Sequence, residues 1–217
     1  MDAWREWPIL WKFSLPAVLA GIMVGPVNWY CATLLVNQEN GYAQMGAYNA
    51  ALQWCSLLLF LPGILGQVIV PILSERLGNK DRKQSLKVLS ISIKTNTIIV
   101  WPLIILFSVF SRSIMGLYGS EFGDERLLLV IVLITTGLIA IANPLGDYLV
   151  AGGRLWLGFS LNLAWGVAFI LGTILWVGIG MGGMGLATAR LAGYLMHGFW
   201  IWMLILYLTK NVTRTSQ

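Results

Sequence analysis

Charge is scarce in this sequence. Only 11% of its 217 residues are Asp, Glu, Lys or Arg, whereas 58% are hydrophobic and the mean hydropathy is +0.77. Soluble domains carry about 25% charge, and a soluble fold of this size cannot bury so much apolar surface, so an isolated globular domain is excluded. Disorder is excluded on the same ground, because it requires low hydrophobicity. Cysteine is nearly absent: Cys31 and Cys55 cannot make a disulfide scaffold. Both lie in apolar runs, where a free thiol behaves as a small buried hydrophobe. Together with one histidine they cannot build a familiar zinc site, so neither a metal nor a cofactor is expected. The serine-hydrolase elbow, the His-Glu-x-x-His zinc motif and the nucleotide-binding glycine loop are also missing. The sole histidine and the scattered serines offer no catalytic pair, so an enzyme is not expected.

Long apolar runs are plentiful. A membrane-crossing helix needs about 20 mostly apolar residues, and six runs qualify: 13–36, 46–74, 88–110, 127–151, 155–179 and 184–208. Polar or glycine-rich punctuation separates them: Asn37 to Gly41, Glu75 to Lys87, Ser111 to Arg126, Ala151 to Arg154 and Gly178 to Gly183. Strands of a membrane barrel would be about 9–11 residues long and alternate strictly; no such pattern occurs. The sequence predicts an all-α integral membrane protein with six transmembrane helices over 13–208, an amphipathic interfacial segment over 1–12, and a tail over 209–217.

The basic residues orient these spans. With a cytoplasmic N-terminus, ten of the 14 basic residues fall on the inner side: Arg5, Lys12, Arg76, Lys80, Arg82, Lys83, Lys87, Arg154, Lys210 and Arg214. Arg112 and Arg126 fall outside, and Lys94 and Arg190 lie within spans. This bias follows the positive-inside rule and places both termini in the cytoplasm. Val18-Leu19-Ala20 imitates a signal-cleavage site, but the apolar stretch before it is short and contains Pro16. Trp4, Trp7 and Trp11, beside Arg5 and Lys12, read as an interfacial anchor at headgroup depth. The Asn211-Val212-Thr213 sequon is on the inner side and carries no expectation.

The spans also carry polar residues at helical spacing. Asn49, Gln53, Ser56, Gly63 and Gln67 mark one face of the second span. Asn143 and Asp147 are four apart in the fourth, Arg190, Tyr194 and His197 form a stripe in the sixth, and Lys94, Thr97, Trp101 and Ser108 form one in the third. Asn28 sits in the first, two residues after Pro26. Polar groups facing lipid are costly, so such faces turn towards neighbouring helices or a wet cavity. Two roles are open to them: hydrogen-bonding glue between helices, or a cavity lining. Lys94 and Arg190 can snorkel to a surface, Asp147 can pair with Arg154, and His197 can be a packing residue. Pro16, Pro26, Pro62, Pro71, Pro102 and Pro144 bend or break the helices, as in proteins that change shape during transport.

Several segments carry a resemblance. Phe13-Ser14-Leu15-Pro16-Ala17 and Gly25-Pro26-Val27-Asn28-Trp29 open the series; Tyr42 to Trp54, Leu61-Pro62-Gly63 and Pro71 to Glu75 mark the second span. Gly152 to Phe159 and Asn162-Leu163-Ala164-Trp165-Gly166 follow. In this order, over about residues 10–208, the chain resembles the polysaccharide and O-antigen flippases of the multidrug/oligosaccharidyl-lipid/polysaccharide (MOP) exporter superfamily, specifically their C-terminal six-helix lobe. The resemblance implies a MATE-like fold in the bacterial inner membrane, with residues 1–12 matching the linker between lobes. It implies flipping of an undecaprenyl-diphosphate-linked oligosaccharide, together with a second six-helix lobe supplied by a homodimer or a separate chain. Relatives can carry a basic residue in the second span, but Gly46 to Ser74 contains no charge. The diphosphate partners are then Arg190 and Lys94, and the remaining cavity candidates are Asn28, Asn49, Gln53, Gln67, Asp147, Tyr194 and His197. Two alternatives stay open: a drug or cation exporter lobe of the same superfamily, and a non-transporting fragment or assembly subunit. No nucleic-acid partner is expected.

Overall fold

The computed structural model describes Trp7 and residues 10–214, with side chains given as far as Met203. Trp4 and Arg5, residues 215–217, and the side chains of Lys210, Arg214 and the 211–213 sequon lie outside the described residues. Every regular element among the described residues is helical. A π-helical turn, Leu10–Ser14, leads into α1 (Leu15–Val36). The long helices α2 (Gly41–Gly78) and α3 (Arg82–Val109) follow, then the short α4 (Ser111–Gly116) and a 3-10 turn, Ser120–Glu125. The series closes with α5 (Arg126–Ala151), α6 (Leu155–Gly178) and α7 (Gly182–Arg214).

Six helices therefore match the six apolar runs, and the differences lie at their ends. Among the described residues, five are long and apolar enough to cross a bilayer on length and composition alone. The sixth, α7, has 33 residues, and its stretch 191–208 contains no charged residue. Helix α2 begins five residues before the apolar run and ends four after it, because backbone hydrogen bonding continues into polar sequence that hydropathy assigns to loops. The start of α3 at Arg82 is fixed by Asp81, whose carboxylate accepts a hydrogen bond from the backbone N–H of Gln84 at 3.1 Å. The helix runs without a break across the expected boundary at residues 12–13. Helix α7 continues to Arg214, beyond the expected end at 208. The Ser111–Arg126 segment, read as a loop, folds instead into α4 and the 3-10 turn, with Ser111, Ile114, Met115 and Gly123 buried.

Helix α5 is the hub. It packs against α2, α3 and α7 and has the largest set of buried side chains, among them Leu129, Leu133, Thr136 and Ala140. The most extensive packing is between α6 and α7, and small residues permit close approach there. A Cβ on Gly172 would lie 3.3 Å from the Ala189 Cα, and one on Gly193 would lie 3.3 Å from the Trp165 ring. Cys31 and Cys55 are free and buried, as their apolar surroundings predict. A broad skin of exposed Ile, Leu, Val and Phe, including Ile22, Phe60, Ile98, Ile105 and Leu171, faces outward as expected beside lipid.

One proline is repaired across a helix interface. Pro144 has no N–H, so the Ala140 carbonyl, four residues earlier in α5, loses its helical partner. The Asn96 side-chain amide of α3 donates to that carbonyl at 3.0 Å, and Asn96 is buried. A side chain from a neighbouring helix thus replaces the missing backbone bond.

Candidate functional site

Three stripe residues on α7 build the centre of the site. The Arg190 Nη1 donates to the Tyr48 hydroxyl on α2 at 3.2 Å, and its guanidinium carbon lies 6.0 Å from the centre of the Tyr194 ring. Tyr194 in turn meets His197 edge-on at 6.2 Å and tilts against Trp165 of α6 at 5.4 Å. Arg190 is partly buried, and among the described residues no carboxylate pairs with it. A phenol oxygen and an aromatic face accept its charge without cancelling it. The guanidinium therefore keeps its full positive charge and most of its N–H donors inside the lobe.

A second group surrounds a cavity of 420 Å³ between α2, α5, α6 and α7. Gln67 comes from α2, Asn143 and Asp147 from α5, Asn162 from α6, and Tyr194 and His197 from α7. Helical spacing brings Asn143 and Asp147 to the same wall, as the sequence predicts. Gly66 allows close approach there: a Cβ on it would lie 2.9 Å from the Asp147 carboxylate. Asp147 does not pair with Arg154; among the described residues it makes no ion pair. The His197 Nδ1 is buried and has no hydrogen-bond partner. Tyr194 joins the two groups, touching Arg190 on one side and lining the Asp147 cavity on the other.

The other candidates are placed apart. Asn28 and Asn49 line a separate cavity of 290 Å³ with Tyr48, the residue that holds Arg190. The Asn28 amide also donates to its own helix, at the Val24 carbonyl, 2.8 Å away. Gln53 is exposed and accepts from the Tyr118 hydroxyl at 3.1 Å, fastening α2 to the turn after α4. Lys94 is exposed on α3 and joins neither group. Sequence patterning did not select Tyr48, Asn96 or Asn162 as site residues. Tyr48 is next to the Asn49 stripe but one position off it, and Asn96 is likewise one position off the Thr97 stripe. A lone amide or phenol in an apolar run was the available signal.

The bundle of six long helices around a polar interior has the fold of one lobe of a MOP-type transporter. Comparison with solved structures agrees. The Vibrio cholerae MATE transporter VcmN superposes with a TM-score of 0.81 at 19% identity, covering 97% of this chain and 48% of that one. A MOP superfamily transporter from Pyrococcus furiosus gives a TM-score of 0.76 at 16% identity, covering 88% of this chain and 43% of that one.

A family model described as "Polysaccharide biosynthesis protein" matches residues 4–125, and the chain belongs to that family. Among curated proteins it is similar to the EPS I polysaccharide export inner membrane protein EpsE of Ralstonia nicotianae, 23% identical over 190 residues, covering 88% of this chain and 44% of that protein. The Ralstonia solanacearum EpsE is 22% identical over 183 residues, covering 84% and 42%. The chain thus spans less than half the length of the curated relatives it matches. These relatives are exporters and transporters, not enzymes.

Proposed function

We propose that this chain is one lobe of a two-lobe exporter in the bacterial inner membrane, with both termini cytoplasmic. Its work is to flip an undecaprenyl-diphosphate-linked oligosaccharide to the outer leaflet for polysaccharide or O-antigen synthesis. The observation that carries this reading is the match to inner-membrane polysaccharide export proteins, which covers most of this chain and less than half of theirs. A physical observation supports it. Asn49, Gln53, Ser56 and Gln67 of α2 are exposed beside exposed apolar side chains of the same helix, among them Leu57, Phe60 and Val68. A polar stripe at that depth calls for cover by a second lobe or by a wet cavity.

The substrate sets the chemistry. A diphosphate cannot cross hydrocarbon unaided, and a hydrated cationic site lowers the barrier as access alternates between leaflets. Arg190 suits that role because its planar fork donates paired hydrogen bonds to phosphate. Tyr48 and Tyr194 hold it without neutralising it. The test is complementation of a strain lacking its own polysaccharide flippase, with the second lobe supplied and membrane abundance measured in parallel. Arg190→Ala is expected to abolish flipping at normal abundance, Arg190→Lys to keep part of it, and Lys94→Ala to do less harm. Full activity of Arg190→Ala at equal abundance would reduce Arg190 to a snorkelling anchor.

A drug or cation exporter lobe is the second reading, and Asp147 favours it as a carboxylate without an ion partner beside a cavity. Drug efflux, measured beside complementation with the same variants, separates the two. Failure to complement together with efflux that is lost in Asp147→Asn and kept in Arg190→Ala would support the cation exporter.

A further inference from the structure

A third cavity, of 270 Å³, opens between α1, α5, α6 and α7 near the Gly152–Arg154 turn. Its walls are mostly apolar: Pro16, Ala17 and Ala20 on one side face Leu149, Val150 and Phe159 on the other. Two glycines keep it open. A Cβ added to Gly146 or Gly158 would meet nothing within 4 Å. At its rim stands Arg154, exposed, with no hydrogen bond or ion pair from its side chain among the described residues.

Aromatic side chains surround the same rim. The Trp156 indole N–H donates to the Trp11 carbonyl at 3.1 Å, and its ring lies 5.8 Å from Trp11 and 5.9 Å from Phe159. Trp7 and Trp11 are exposed, Phe13 packs beneath Gly153, and Lys12 follows Trp11 in the chain. Tryptophans with basic neighbours mark headgroup depth in a bilayer. The rim is therefore at the level of lipid phosphates, and the apolar slot descends from it into the depth of acyl chains.

We propose that this slot binds one anionic phospholipid of the surrounding bilayer, with its phosphate on Arg154 and one acyl chain between α1 and α6. Charge and depth both select this occupant. An exposed guanidinium at a tryptophan belt meets a lipid phosphate, and an apolar slot running inward from that level fits a hydrocarbon chain. Its inner end is lined by Gly146, Asn162 and His197, which also line the 420 Å³ cavity. The site ties the interfacial stretch before α1 to the start of α6, so the lipid joins the two segments that meet at Trp11 and Trp156.

The test is native mass spectrometry of the full chain from mild detergent, titrated with phosphatidylglycerol or with phosphatidylcholine of identical chains. The parent is expected to hold one phosphatidylglycerol at least five-fold more tightly than phosphatidylcholine. Arg154→Gln should remove that preference, because it deletes the charge and leaves the slot. Gly158→Leu should weaken both lipids at least five-fold, because it fills the slot and leaves the charge. Circular dichroism and thermal melting confirm that both variants fold. Equal binding of the two lipids by the parent would overturn the proposal. So would a Gly158→Leu variant that binds both lipids as the parent does, or displacement of the lipid by inorganic phosphate at matched concentration. Loss of a dimer in Gly158→Leu without a change in lipid count would make the slot a seam between lobes instead, and would also overturn it.

Discussion

At the scale of single residues, the informative contacts join polar groups that the sequence separates widely. Asn96 and Ala140 are the clearest case. Removing the amide in Asn96→Ala leaves a buried carbonyl without a donor, and a destabilisation of about 1 kcal/mol is expected. In Pro144→Ala a backbone N–H returns to that same carbonyl, so the Asn96 bond becomes redundant. The double variant should then lose less than the sum of the two single effects. Thermal unfolding in detergent measures all three; strict additivity would mean that the amide and the proline act independently. Stripe spacing did identify Arg190, Tyr194 and His197 as neighbours, because i, i+4 and i+7 share a helical face whatever the tertiary structure. It did not identify Tyr48, whose role depends on where α2 lies beside α7. Periodicity gives the face of a helix, but the identity of the opposing residue requires the packed bundle.

At the scale of elements, hydropathy located all six long helices, and several of them extend past its apolar runs. Apolar runs report the part of a helix that needs lipid, whereas the helix itself ends where backbone bonds run out. Asn79 accordingly closes α2 with its N–H on the Glu75 carbonyl, beyond the last apolar residue. The α6–α7 pair makes an element-scale prediction. Gly172→Leu inserts a side chain where Ala189 and Trp176 already stand within 3.3 Å, so a loss of roughly 1–3 kcal/mol is expected. Gly178→Leu, in a position where a Cβ meets nothing within 4 Å, should cost far less, and equal losses would show that close packing is not what holds the pair. Orientation is tested on the loops. Because Cys31 and Cys55 are buried, a single introduced cysteine reports cleanly. Ser120→Cys is expected to react with an impermeant thiol reagent from outside intact cells, and Asn79→Cys only after the membrane is opened. The reverse accessibility would invert the topology.

At the scale of the molecule, six spans were legible in the sequence, because the bilayer imposes length and polarity on every helix it surrounds, and the lobe-like arrangement came from the family resemblance. The interior was only partly legible. The Asn143–Asp147 pair was visible, but the cavity it lines draws on four helices, and its neighbours Asn162 and Gln67 come from distant runs. What lies outside the lobe is the central question. The exposed polar stripe on α2 supports the proposed partner lobe, and the chain covers less than half of each export relative. The two lobes of such exporters are parallel repeats about an axis along the membrane normal, so self-pairing would keep one membrane orientation. The most direct measurement is the mass of the purified chain in mild detergent, alone and with a neighbouring gene product, on a preparation that complements a flippase-deficient strain. The account predicts two lobes in the active particle, either two copies of the 24.0 kDa chain or one copy with a second six-helix protein. A strictly monomeric chain that still transports would contradict it.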